Sequence, residues 1–155
     1  MNEATVEQRL ANLGYQLPPV SAPIGSYVKG VVVGNLLFLS GNGPDQPGYT
    51  SPKGKVGDDV TVEQAVEAAR YVGLNLLAAA KDTLGSLDRI RQVVKVLGMV
   101  NSAPDFGQQP RVINGCSDLF LAVFGDAGRH ARSAVGMAAL PNGIPVEIEA
   151  IFEVE

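Results

Sequence analysis

Apolar and polar positions change period several times along the chain, and each change marks an element. Val6, Leu10 and Leu13 recur at helical spacing behind Thr5-Val6-Glu7-Gln8, a capping-box pattern, and Gly14 follows. This predicts a short first helix at the periphery. Pro18, Pro19 and Pro23 then interrupt the chain, so residues 15 to 26 read as an extended linker and the folded core is expected to start near Ile24. Tyr27 to Val33 and Leu36 to Ser40 are β-rich runs joined by Gly34-Asn35, the two-residue connection of a hairpin.

From Gly41 to Asp59 the pattern is lost in five glycines and three prolines, which predicts a long polar surface loop. Loops of this length in compact domains are often functional or mobile. Thr61-Val62-Glu63-Gln64 repeats the capping box, and Val62, Ala65, Val66, Ala69, Leu76, Leu77, Ala80 and Leu84 trace one apolar helix face that ends at Gly85. Ile90 to Val100 is β-branched and nearly continuously apolar, as an interior strand would be. Val112, Ile113, Cys116, Leu119, Phe120 and Val123 mark a second amphipathic helix, stopped by Gly125. Arg132 to Leu140 is a strand of small residues, Pro141-Asn142-Gly143 is a turn, and Val146 to Val154 closes the chain as a strand.

The order is an added N-terminal helix followed by β-β-α-β-α-β-β: an α+β chain with residues 1 to 23 as helix and linker and residues 24 to 155 as one domain. Two long helices cover one face of such a sheet, and a bare apolar second face would be an association site. In the last strand Val146, Ile148, Ala150, Phe152 and Val154 point one way, with Glu147, Glu149, Ile151 and Glu153 on the other. A mixed acidic and apolar face suits a subunit interface with polar pockets.

Composition narrows the chemistry. With 155 residues, 46% hydrophobic and 18% charged, the chain is expected to fold as a globule without disulfides or metal. A net charge of −4 argues against nucleic acid or anionic lipid as a main partner. One cysteine, Cys116, and one histidine, His130, are too few for a thiolate or imidazole zinc cage. Neither a leader nor a membrane span is apparent, so the expected location is the cytoplasm. The glycines from Gly25 to Gly43 lack phosphate-loop spacing and read as turns. Cys116 reads as a small buried hydrophobe, and His130 as an exposed or interface residue.

Three ordered motifs resemble the RidA (YjgF) family of reactive-intermediate deaminases. They are Ile24-Gly25-Ser26-Tyr27-Val28-Lys29-Gly30 through Leu39-Ser40-Gly41-Asn42-Gly43-Pro44, the helix around Asn114, and Ala131-Arg132-Ser133 with Leu140-Pro141 and Val146-Glu147-Ile148-Glu149-Ala150-Ile151. The resemblance covers residues 24 to 155. It implies a chorismate-mutase-like fold, a homotrimer with sites in the clefts between subunits, and hydrolysis of 2-imino or enamine acids to 2-oxo acids and ammonia. No cofactor or metal is implied. The family's carboxylate-binding arginine matches Arg132, its water-holding glutamate matches Glu147, its aromatic matches Tyr27 and its pocket-lining Ser-Gly matches Ser40 and Gly41. The chain departs at Ala134, where a cysteine is common, and at Asn42, where glutamine is usual; both resemble a longer, less characterised branch.

The residue types suit those roles. The planar guanidinium of Arg132 can donate two parallel hydrogen bonds to a carboxylate, and a partly desolvated Glu147 can take a proton from water. On the residues alone, Arg132 could instead pair with Glu147 or Glu149, Glu147 could pair with an interface arginine, and Tyr27 could fill an interface edge. Two other functions stay open: a non-catalytic trimeric binder of small carboxylates and, more remotely, a ribonuclease, for which no second histidine is present.

Overall fold

The computed structural model describes residues 3–155. Helix α1, Val6–Asn12, forms where the first capping box lies: the Thr5 hydroxyl accepts from the Gln8 amide at 3.1 Å, and the Gln8 side chain accepts from the Thr5 amide at 2.9 Å. It is not peripheral. Val6 and Leu10 are buried in the main core, the Val6 amide donates to Asp88 at 2.9 Å, and Arg9 Nε donates to the Val123 carbonyl at 2.7 Å. Ile24, in contrast, is 84% exposed, so the core begins at Val6 rather than near Ile24. The proline-rich stretch is itself pinned, with Tyr15 under the Arg70 guanidinium and both Tyr15 and Leu17 packed on the core.

Strands β1, Gly30–Val33, and β2, Leu36–Asn42, form the hairpin, with Gly34 at φ +60° supplying the turn. β1 starts three residues later than the β-rich run, because residues 27 to 29 are bent and held by the Ser40 amide on the Lys29 carbonyl (3.0 Å) and the Ser40 hydroxyl on the Val28 carbonyl (2.6 Å). Helix α2, Val62–Leu84, begins at the second capping box and ends where Gly85 takes φ +84°. Strand β3, Ile90–Asn101, helix α3, Gln109–Phe124, strand β4, Ala131–Met137, and strand β5, Val146–Val154, complete the chain.

The segment after β2 is no simple polar loop. Val56 and Val60 are fully buried, and Val56 bonds through its amide to Asn101 and through its carbonyl to Ala103, stitching the loop to the end of β3. Asp45 accepts from the Ser51 amide and hydroxyl and from Lys53 at 2.7 to 2.8 Å. Burial pushes the Asp45 carboxyl up, but these bonds prevail and hold it below its ordinary value.

The five strands lie in the order β1-β2-β5-β3-β4, with β3 and β4 parallel and joined by α3 and every other pair antiparallel. This is the α+β, chorismate-mutase-like arrangement expected, with α2 and α3 on one face. The helices approach closely: a Cβ on Gly115 of α3 would collide with the backbone carbonyl of Val66 in α2. Below them, Val93, Val96, Val100, Ile148, Ala150 and Phe152 are buried. The other face leaves Val31, Phe38, Val135 and Val33 exposed, the last at 62%, beside partly buried Leu97, Met99 and Ile151.

Candidate active site

Glu147 is the second residue of β5. Its neighbours Val146 and Ile148 are buried against the helices, so strand alternation aims the carboxylate at the open face. β2 passes alongside with its register broken between Leu39 and Asn42. At that irregularity Gly41 lies against the carboxylate so closely that a Cβ there would meet Glu147 Oε2 and come 3.1 Å from its Cδ. The Ser-Gly pair thus has a physical reason: Ser40 ties down residues 28 and 29, and Gly41 leaves room for the acid.

Tyr27, Lys29, Ser40, Gly41, Asn42 and Glu147 line one cavity of about 560 Å³. Asn42 is buried and donates to the Ser40 carbonyl at 3.0 Å, and Lys29 Nζ reaches its side-chain oxygen at 3.5 Å. Tyr27 is exposed at this cavity. Burial, and then the negative charge of Glu149, push the Glu147 carboxyl above its ordinary value. Among the described residues no side chain or amide donates to it.

Arg132 lies elsewhere. It pairs across β3 in the row Arg132, Val96, Ala150, on the helix-covered face, whereas Glu147 belongs to the row Val135, Met99, Glu147 on the open face. Its guanidinium turns to α3, donating from Nη1 to Asn114 Oδ1 at 2.7 Å and Ser117 Oγ at 3.1 Å, and from Nη2 to the Pro110 carbonyl at 3.3 Å. Among the described residues it pairs with neither Glu147 nor Glu149. One chain therefore gathers Tyr27, Ser40, Gly41 and Glu147 in one place and sets Arg132 in another.

A second cavity, of about 380 Å³, adjoins Arg132 and is lined also by Ser117, Leu121, Arg129 and His130. Cys116 is fully buried, and burial drives its thiol far up despite the nearby charge of Arg132. Ser117 and His130 line the cavity beside Arg132, and Lys29 the one beside Glu147, in addition to the residues expected from the sequence. The signal was available in spacing: Asn114 and Ser117 are three apart on one helix flank, and His130 and Arg132 are two apart in extended chain. Among the described residues no group of three or more His, Cys, Asp or Glu is arranged to hold a metal, and no helix is long and apolar enough to cross a membrane.

Comparison with known proteins agrees with this architecture. Residues 7–146 match the family model described as "YjgF/chorismate_mutase-like, putative endoribonuclease". The chain belongs to this YjgF/RidA family. It is 43% identical over 149 residues to Protein TCP17 of Trypanosoma cruzi, covering 96% of this chain and 93% of that protein. It is 32% identical over 130 residues to the 2-iminobutanoate/2-iminopropanoate deaminase of Escherichia coli, covering 84% and 88%. Among solved structures, the protein Atu1372 of Agrobacterium tumefaciens, of unknown function, superposes with a TM-score of 0.88 at 46% identity, over 97% of this chain and 92% of that one.

Proposed function

We propose that the protein hydrolyses 2-imino and enamine acids to 2-oxo acids and ammonia, with Glu147 and Arg132 in the leading roles. The observation that carries this reading is the Glu147 carboxylate: it lines a cavity, receives no hydrogen bond from the described residues, and has its affinity for a proton raised by burial. Such a group is suited to hold one water and take its proton. A relative with 32% identity named as an imine deaminase supports the substrate class.

In the reaction the substrate enters as its iminium ion: water oxygen bonds to the imine carbon, Glu147 takes a water proton, and the C=N π electrons pass to nitrogen, which becomes a neutral amine. The carbinolamine then collapses: Glu147 returns its proton to nitrogen, the freed carboxylate takes the hydroxyl proton as C=O forms and the C–N bond breaks, ammonia leaves, and Glu147 releases its last proton to solvent. An enamine first gains a proton from solvent on carbon to become the iminium. Arg132 anchors the carboxylate, the backbone near Gly41 and Arg132 fixes the nitrogen end, and Tyr27 closes the pocket.

Because Arg132 and Glu147 face opposite sides of one sheet, the working site is assembled from two copies in a homotrimer. The exposed Val31, Val33, Phe38 and Val135 support burial of the open face in that assembly. The test generates imines with an amino-acid oxidase and follows their loss. Replacing the bidentate anchor in Arg132→Lys is expected to cost about thirtyfold in kcat/KM, and Glu147→Gln more. Equal rates for wild type and Arg132→Lys would remove the anchor, and saturable binding of oxo acids without turnover would leave a carboxylate-binding protein.

A further inference from the structure

We propose that Ser117 and His130 are positioning residues that set the guanidinium of Arg132 for carboxylate binding, an inference that rests on Arg132 being the anchor proposed above. His130 Nδ1 lies 2.6 Å from the Gly128 carbonyl oxygen, and its Nε2 lies 2.9 Å from Ser117 Oγ. A carbonyl only accepts, so Nδ1 carries the proton. In the neutral ring Nε2 is then an acceptor, and the Ser117 hydroxyl donates to it. With its hydrogen committed to His130, Ser117 turns its lone pairs to Arg132 Nη1 at 3.1 Å.

The consequence falls on the fork. Of the five guanidinium N–H groups, two on Nη1 go to Asn114 and Ser117 and one on Nη2 goes to Pro110. One on Nε and one on Nη2 remain, and these adjacent donors are what a bidentate carboxylate needs. Ser117 is buried and sits on α3, and the His130 ring stands edge-on to Phe120 at 6.2 Å between centroids, so both groups are held rather than free to wander. Without the serine oxygen, the guanidinium keeps Asn114 and one long bond to Pro110, and it can turn its fork into the cavity beside it. Without the histidine acceptor, the serine hydroxyl is free to bond the carbonyl one helical turn back, which redirects its lone pairs.

The test measures kcat and KM on imines generated by an amino-acid oxidase, and the Kd of 2-oxobutanoate by calorimetry, with the full-length protein. Ser117→Ala is expected to raise KM and Kd about tenfold with kcat within about twofold, since a hydrogen bond to a charged group is lost. His130→Phe is expected to raise them about fivefold, and His130→Gln, whose amide oxygen reaches about as far as Nε2, to restore them. In an Arg132→Ala background, Ser117→Ala should add nothing. An unchanged KM in Ser117→Ala, no rescue by Gln, or full additivity with Arg132→Ala would overturn the relay. A wild-type Kd in Arg132→Ala alone would instead overturn the anchor. If Ser117→Ala does not fold, the Phe and Gln pair at position 130 decides the question.

Discussion

Gly41→Ala changes one methyl group and should separate catalysis from folding. Gly41 does not occupy the left-handed region, so its backbone accepts alanine, and the obstacle is space. The new Cβ would meet Glu147 Oε2 and stand 3.1 Å from Cδ and 3.3 Å from Cγ. What must yield is the far end of a flexible side chain, displaced by about 1 Å to regain ordinary contact. That costs the fold about 1 kcal/mol, or roughly 4 °C in Tm. The same displacement moves the proposed base away from its water, and a misplacement of this size costs about a hundredfold in rate. The assay is imine loss at saturating oxidase-generated substrate, beside thermal unfolding. Gly107→Ala serves as the control, because nothing lies within 4 Å of a Cβ there. Wild-type turnover in a folded Gly41→Ala protein would refute the placement of the working carboxylate at Gly41, and a Tm loss beyond about 10 °C would refute the claim that Glu147 gives way.

The other predictions concern packing, protons and assembly. Gly115→Ala sets a Cβ against the Val66 carbonyl and 3.1 Å from the Ala69 Cβ, so backbone must move, and urea unfolding should show a loss of about 3 kcal/mol. The raised Glu147 carboxyl makes the folded state hold its proton more tightly than the unfolded state. Its contribution to stability is therefore present at low pH and is lost as pH rises from the ordinary glutamate range through the folded value. Glu147→Gln should accordingly gain on wild type in melting temperature across that window and show no advantage below it. The acid limb of kcat/KM in wild type should lie above the usual glutamate range, read from a pH–rate profile. Phe38→Glu places a charge on the open face opposite Ile151, beside the strand that carries Glu149 and Glu153, and should convert a sedimenting trimer to monomers and abolish turnover. A monomeric wild type would remove the shared site.

Much of the local structure was legible because its causes lie within a few residues. Thr5 with Gln8 and Thr61 with Gln64 satisfy each other's amides across one helical turn, so both helix starts can be read from four letters. Gly85 ends α2 through its own backbone freedom, and the alternation from Val146 to Val154 sorts each side chain to a face before any partner strand is known. The same alternation put Glu147 and Phe152 on opposite sides of β5, and the structure keeps them there. What tertiary structure alone decided involves residues far apart in the chain. No local pattern places β5 between β2 and β3, or shows that Val56 stitches a polar loop to the end of β3, because those pairings join segments more than forty residues apart. The fate of Arg132 is of this kind: its strand could be read from the sequence, but its face is set by pairing across β3, and its partners on α3 come from 15 to 22 residues earlier. Strand pairing and hydrogen bonding at long separation, which no short window of sequence encodes, set the arginine on the face opposite the acid.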